Sequence, residues 1–235
     1  MHRPAIRLAG LLACAAVPVA LVAGCSSSGS DDAKSSAAPS SSSSGAAEPS
    51  VAPARYHHLP DPCDGVSQDT VKDLLPKVKS ASGDRGKSSD TDARGYCSWS
   101  SADENGVKGT QYRWLDVSYQ RYDSEQAIGS GAQRAGEAYT KQVQSEKSVD
   151  GAKKLSTTPV KDLGDDATAI TYESSKDGSD FRNTTVVART ANVVVTVHYD
   201  GAGLAGAKDP DSADLLKDVQ TAAKDAVAAV AKAQK

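Results

Sequence analysis

Three β-rich runs set close together late in the chain, Thr168 to Ser174, Arg182 to Arg189 and Val193 to Tyr199, constrain this fold more than any other feature. β-branched and aromatic residues dominate them, and Ala191-Asn192 makes a tight connection between the last two. Upstream, Tyr96 to Ser100 and Gln111 to Tyr122 read as two further strands joined by the loop around Asn105-Gly106, and a short strand lies near Val160. Hairpins rather than alternating strands and helices specify an α+β domain, a largely antiparallel sheet packed by helices on one side.

Three helices complete the expectation. Val66, Ser67 and Val71 form a hydrophobic staple around a Ser N-cap, and Val71, Leu74, Leu75 and Val78 make the apolar face of a short first helix. Ser124 is read as the cap of a longer one, with Ala127, Ile128, Gly131, Ala135, Ala138, Tyr139 and Val143 at three- and four-residue spacing. Pro210 and Ser212 introduce the last, striped by Leu215, Leu216, Val219, Ala223, Ala226, Val227 and Val230.

The N-terminus sets the expected address. Arg3 and Arg7 precede an uncharged run from Leu8 to Val22, which ends in Val22-Ala23-Gly24-Cys25. That layout is an export signal, residues 1–24, cleaved before Cys25 so that the new N-terminal cysteine carries a diacylglyceryl group. A membrane-spanning helix is the competing reading, but the apolar part is about 15 residues where a span needs roughly 20. The expected localisation is the extracytoplasmic face of the cell membrane. Of the 29 residues Ser26 to Ala54, 12 are Ser and seven Ala, so residues 25–54 read as a lipidated Cys and a disordered tether.

Residues 55–235 are expected to form one globular domain. With a single Phe in the chain and many Ala and Val, its core is modest, which gives weight to the cysteines. After Cys25 only Cys63 and Cys97 remain, an even pair in an oxidising compartment, and a disulfide between them is the expectation. Two free thiols or a metal site are the alternatives. Zinc would need two further ligands, and the mature chain offers only His57, His58 and His198.

The mature chain carries 25 basic against 30 acidic side chains, a net −5, with nothing that points to nucleic acid. No catalytic constellation is legible and no cofactor or metal is implied: there is no G-x-S-x-G elbow, and a triad would have to recruit a lone histidine. Gly201 to Gly206 matches G-x-G-x-x-G literally, but Asp209-Pro210 separates it from the next helix, so it reads as a flexible turn. Asp90 to Gly95 begins like a calcium loop, yet Arg94 stands where an oxygen ligand is wanted.

The remaining candidate is a surface. If Leu115, Val117 and Tyr119 point into the core, alternation puts Tyr112, Trp114, Asp116 and Ser118 on the other side, with His198 beside them. Trp114 is then either covered by a loop or part of an exposed recognition patch.

Four short motifs carry a resemblance. Asp61-Pro62-Cys63 opens the domain, Cys97-Ser98-Trp99 lies on the first strand, Leu163-Gly164-Asp165 precedes another, and Asn192 leads into Val193-Val194-Val195. In these the chain resembles the actinobacterial exported lipoproteins called domain of unknown function 3558. The resemblance implies a lipid-anchored, disulfide-stapled α+β domain with no established activity. The functional expectation is a non-enzymatic binding or sensing module of the cell envelope, held at the membrane by its anchor. Its expected partner is an envelope protein, a wall fragment or an apolar small molecule. The alternatives are an envelope structural or assembly factor without a small ligand, and a hydrolase.

Overall fold

The hairpins close into a single seven-stranded sheet in a computed structural model that describes residues 50–234. The expected export signal, Cys25 and the expected tether before residue 50 lie outside the described residues. In chain order the elements are α1 (Gln68–Leu74), β1 (Asp84–Arg85), β2 (Arg94–Glu104), β3 (Thr110–Arg121), α2 (Gly131–Lys147), β4 (Lys153–Pro159), β5 (Asp166–Lys176), β6 (Ser179–Thr190), β7 (Val193–Leu204) and α3 (Ser212–Lys232). The strand order is β1-β2-β3-β7-β6-β5-β4 and every neighbouring pair is antiparallel. No described helix is long and apolar enough to cross a membrane.

One face of the sheet carries the main core. Leu115, Val117 and Tyr119 of β3, Val195, Val197 and Tyr199 of β7 and Val186 of β6 are buried with Val71, Leu74 and Leu75 at α1 and Leu215, Val219, Ala222, Ala226 and Val230 of α3. The small side chains of α3 bring its backbone close to the sheet, and Tyr119 Oη donates to the carbonyl of Ala226. Cys63 and Cys97 are joined, Cα to Cα 5.1 Å, and tie the Pro62–Asp64 turn to β2. Trp99, two residues on, is buried on the same side with its indole N–H donating to the carbonyl of Ala81.

The helices are not all on that side. α1 and α3 are, as expected, but α2 packs on the opposite face of β5, β6 and β7. There Ala135, Ala138, Tyr139 and Val143 cover Ile170, Val187 and Val194. The reason lies in the strands: Val186-Val187-Ala188 and Val193-Val194-Val195 are continuous apolar runs rather than alternating ones, and such runs need cover on both faces.

The start of α2 also differs from expectation. Ser130, not Ser124, is the N-cap, in a capping box with Gln133. A side chain that receives the N3 amide while the N3 side chain reaches back satisfies two orphan donors at once, and Gly129 with φ +128° ends the preceding turn. Ser124 instead donates to the carbonyl of Ala52 and accepts from the amide of Gly131, while Ile128 is left 62% exposed.

The quoted motifs are structural joints. Asp61 accepts from the amide of Cys63 and pairs with Arg85. Gly164, with φ +66°, lies where a Cβ would run into the carbonyl of Arg189, and Asp165 accepts from the amide of Ala191 at 2.6 Å. Asn192 is wholly buried: its carbonyl accepts from Tyr122, its side chain exchanges both bonds with the backbone of Tyr56 at 2.8 Å, and it also donates to the carbonyl of Tyr122. The expected Gly201–Gly206 turn is mostly strand, because Gly201 to Leu204 continue β7. At Gly203 the returning chain comes so close that a Cβ would meet the carbonyl of Ala207.

Candidate functional site

The sheet face that α2 only partly covers carries a row of polar and aromatic residues. Alternation along β3 and β7 puts Asp116 opposite His198, Trp114 opposite Asp200, Tyr112 opposite Ala202 and Ser118 opposite Thr196. α2 crosses β7 and β6 and ends beside this row, so that Glu146, in its last turn, reaches the sheet.

His198 sits between two carboxylates. Its Nδ1 is 2.9 Å from Asp116 Oδ1 and its Nε2 is 3.2 Å from Glu146 Oε1. Burial by itself would lower the imidazole's pKa, but the hydrogen bonds and charges of Asp116 and Glu146 outweigh it and raise the value to about 10. At neutral pH the ring is an imidazolium with both N–H groups donating. Burial works against the ionised Glu146, yet the imidazolium, Gln142 and Thr185 hold its pKa below the usual carboxylate range.

A ring engaged on both nitrogens has none left to take a proton from a nucleophile, so this cluster is arranged to hold α2 on the sheet and to present charge. Among the described residues no group of His, Cys, Asp or Glu is placed to hold a metal ion.

Around the cluster stand the aromatics. Trp114 is half-buried and donates from Nε1 to Asp116 Oδ2 at 2.8 Å. Tyr112 meets Phe181 edge to face, centroids 6.3 Å apart. Burial raises the pKa of Tyr112, and Asp200 adds to it. Tyr172 is pushed up to about 12 by burial and by the charges of Asp200 and Glu146. Asp200 accepts from the amide of Thr184, and burial raises its pKa to about 7 despite the nearby His198.

Of the five residues proposed from alternation, Trp114, Asp116 and His198 are linked by hydrogen bonds, and Tyr112 lies one rung further along β3. Ser118 shares the face but lines a cleft of about 490 Å³ with Tyr96 and the loop Gly86 to Asp90. Sequence reasoning missed Glu146, Asp200, Tyr172 and Phe181. The same period of two in β5, β6 and β7 could have found the last three. Glu146 has no such signal, since its place depends on how α2 crosses the sheet.

The family model described as "Protein of unknown function (DUF3558)" matches residues 20–210 of the chain. The chain belongs to that family. The match stops short of α3, and the four joint motifs lie within it. No curated protein matches this sequence. Among solved structures, the chain is similar to the crystal structure of LpqN, described as involved in cell envelope biogenesis of Mycobacterium tuberculosis. The likeness covers 54% of this chain and 67% of that one, at 14% identity and a TM-score of 0.32.

Proposed function

We propose that this DUF3558 protein is a lipid-anchored, extracytoplasmic binding module without enzymatic activity, and that it recognises its partner through the α2-side face of the sheet. The observation that carries this reading is the juxtaposition on one partly open face of Trp114, Tyr112, Tyr172 and Phe181 with the Asp116–His198–Glu146 cluster. Half-buried aromatics with polar neighbours are what recognition surfaces favour. A polar partner, an envelope protein or a wall fragment, suits this face better than an apolar small molecule, because the space between α3 and the sheet is filled by Val219, Ala222, Ala226 and Val230. The anchor rests on Val22-Ala23-Gly24-Cys25.

Two experiments test the two halves of the reading. A photo-cross-linking residue at Tyr112 should give a discrete adduct in intact cells, lost on Trp114→Ala, whereas the same residue at the exposed Lys224 on α3 should give none. Adducts from Lys224 alone would place recognition on the helical face. Cys25→Ala should abolish diacylglyceryl modification and signal cleavage, and normal processing of the native chain with no lipid on Cys25 would refute the anchor.

A further inference from the structure

Asp200 is a partly buried carboxylate of this face that has no counter-ion among the described residues. Its Oδ1 accepts from the amide of Thr184 at 3.1 Å, and among the described residues it forms no salt bridge. His198, two residues before it on the same face, is already held by Asp116 and Glu146. The arginines on the adjacent rung, Arg113 and Arg182, both stand opposite Gly201 and so lie on the other face, with Arg182 paired to Glu173 and Asp209 and Arg113 donating to the carbonyl of Tyr112. An asparagine would accept from Thr184 equally well and would carry no charge to desolvate, so the fold itself gives no reason for a carboxylate here.

What surrounds Asp200 supplies one. Trp114 stands opposite it on β3, and on its other side the same rung runs through Asn183 of β6 to Tyr172 of β5. On the next rung Ala202 is wholly buried, and Tyr112 and Phe181 meet edge to face beside it. A partly exposed carboxylate with aromatic side chains on both sides of it is an arrangement that attracts an organic cation, through the ring quadrupoles and the charge together. The hydroxyls of Tyr112 and Tyr172 stay protonated at neutral pH and add polar contacts without adding charge.

We infer that the cup formed by Asp200, Trp114, Tyr112, Tyr172 and Phe181 binds an alkylammonium group carried by the partner, an inference that rests on the α2-side face being the recognition surface. A neutral glycan or peptide would leave the carboxylate uncompensated, whereas a primary ammonium brings the missing charge and donors to the carboxylate.

The test uses the full chain in detergent and follows the indole N–H signal of Trp114, assigned with Trp114→Phe. Two probe pairs distinguish a peptide amine from an amino sugar: Nα-acetyl-lysine methylamide against its Nε-acetylated form, and glucosamine against N-acetylglucosamine. One amine or both should shift the signal saturably in the millimolar range, and neither acetylated probe should do so. Asp200→Asn, which keeps the Thr184 bond, should weaken binding at least about tenfold with the fold intact, as expected when one partner of a desolvated charge pair is removed. Glu137→Gln, on the exposed side of α2, should leave it unchanged. Equal response to amine and acetylated probes, or native-like binding by Asp200→Asn, would overturn the inference. If all amines fail while the Tyr112 adduct persists, the cation is wrong and the face stands; if both fail, both readings fall.

Discussion

Replacing His198 by alanine should destabilise the domain by about 3 to 5 kcal/mol in urea unfolding at pH 7, the range for removing one partner of a buried ion pair. The loss comes less from missing bonds than from what remains: Asp116 and Glu146 would face each other across the vacated ring with no cation between them. Neutralising both in a Asp116→Asn, Glu146→Gln, His198→Ala variant should recover part of the loss, which a simple cavity effect would not allow. A single-variant loss under about 1 kcal/mol would mean that the imidazolium does not fasten α2.

The same cluster sets a pH profile. A histidine whose pKa rises from 6.5 to about 10 on folding contributes stability that is fully present below 6.5 and lost as pH climbs towards 10. Asp200, raised from 3.8 to about 7, is favoured protonated in the folded state, so its ionisation lowers stability between about pH 4 and 7. Glu146 acts in the opposite sense, its lowered pKa adding stability that is lost in acid. Thermal melting should therefore show a maximum in mild acid and a long decline on the alkaline side. His198→Ala should flatten that decline above pH 7, and Asp200→Asn should flatten the part below it and raise the melting temperature at pH 8.

Removing the disulfide is the second large effect. Cys63 and Cys97 are 34 residues apart, and opening a loop of that length costs about 4 kcal/mol in the chain-entropy model. A Cys63→Ser, Cys97→Ser variant should lose about that much in urea. The local structure adds to the expectation: the link ties the entry turn to β2, and the loop at Gly83 lies directly against Cys97 Sγ and the Trp99 indole. A loss below about 1 kcal/mol would show that the turn is held by Asp61 and Arg85 instead.

Much of this architecture was legible because it follows from local periods. Period two in β3 and β7 placed Tyr112, Trp114, Asp116, Ser118 and His198 on one face, since alternation is a property of the extended backbone wherever the strand ends up. The stripe of α3 was legible for the same kind of reason, as was the Ser67 cap of α1. Strand ends were not: β7 runs five residues beyond Tyr199 because pairing with β3 extends through glycines that carry no strand signal of their own.

By itself, then, the sequence determined the antiparallel hairpins, the cysteine pair and which side chains share a face, all of which depend on near neighbours along the chain or on simple parity. Only the tertiary structure decided that α2 lies across the second face, that Glu146 closes on His198, and that Asp200 is left among aromatic rings without a counter-ion. Those outcomes depend on which apolar surfaces must be covered at once and on the angle at which a helix crosses a sheet, and neither is encoded in any single stretch of residues.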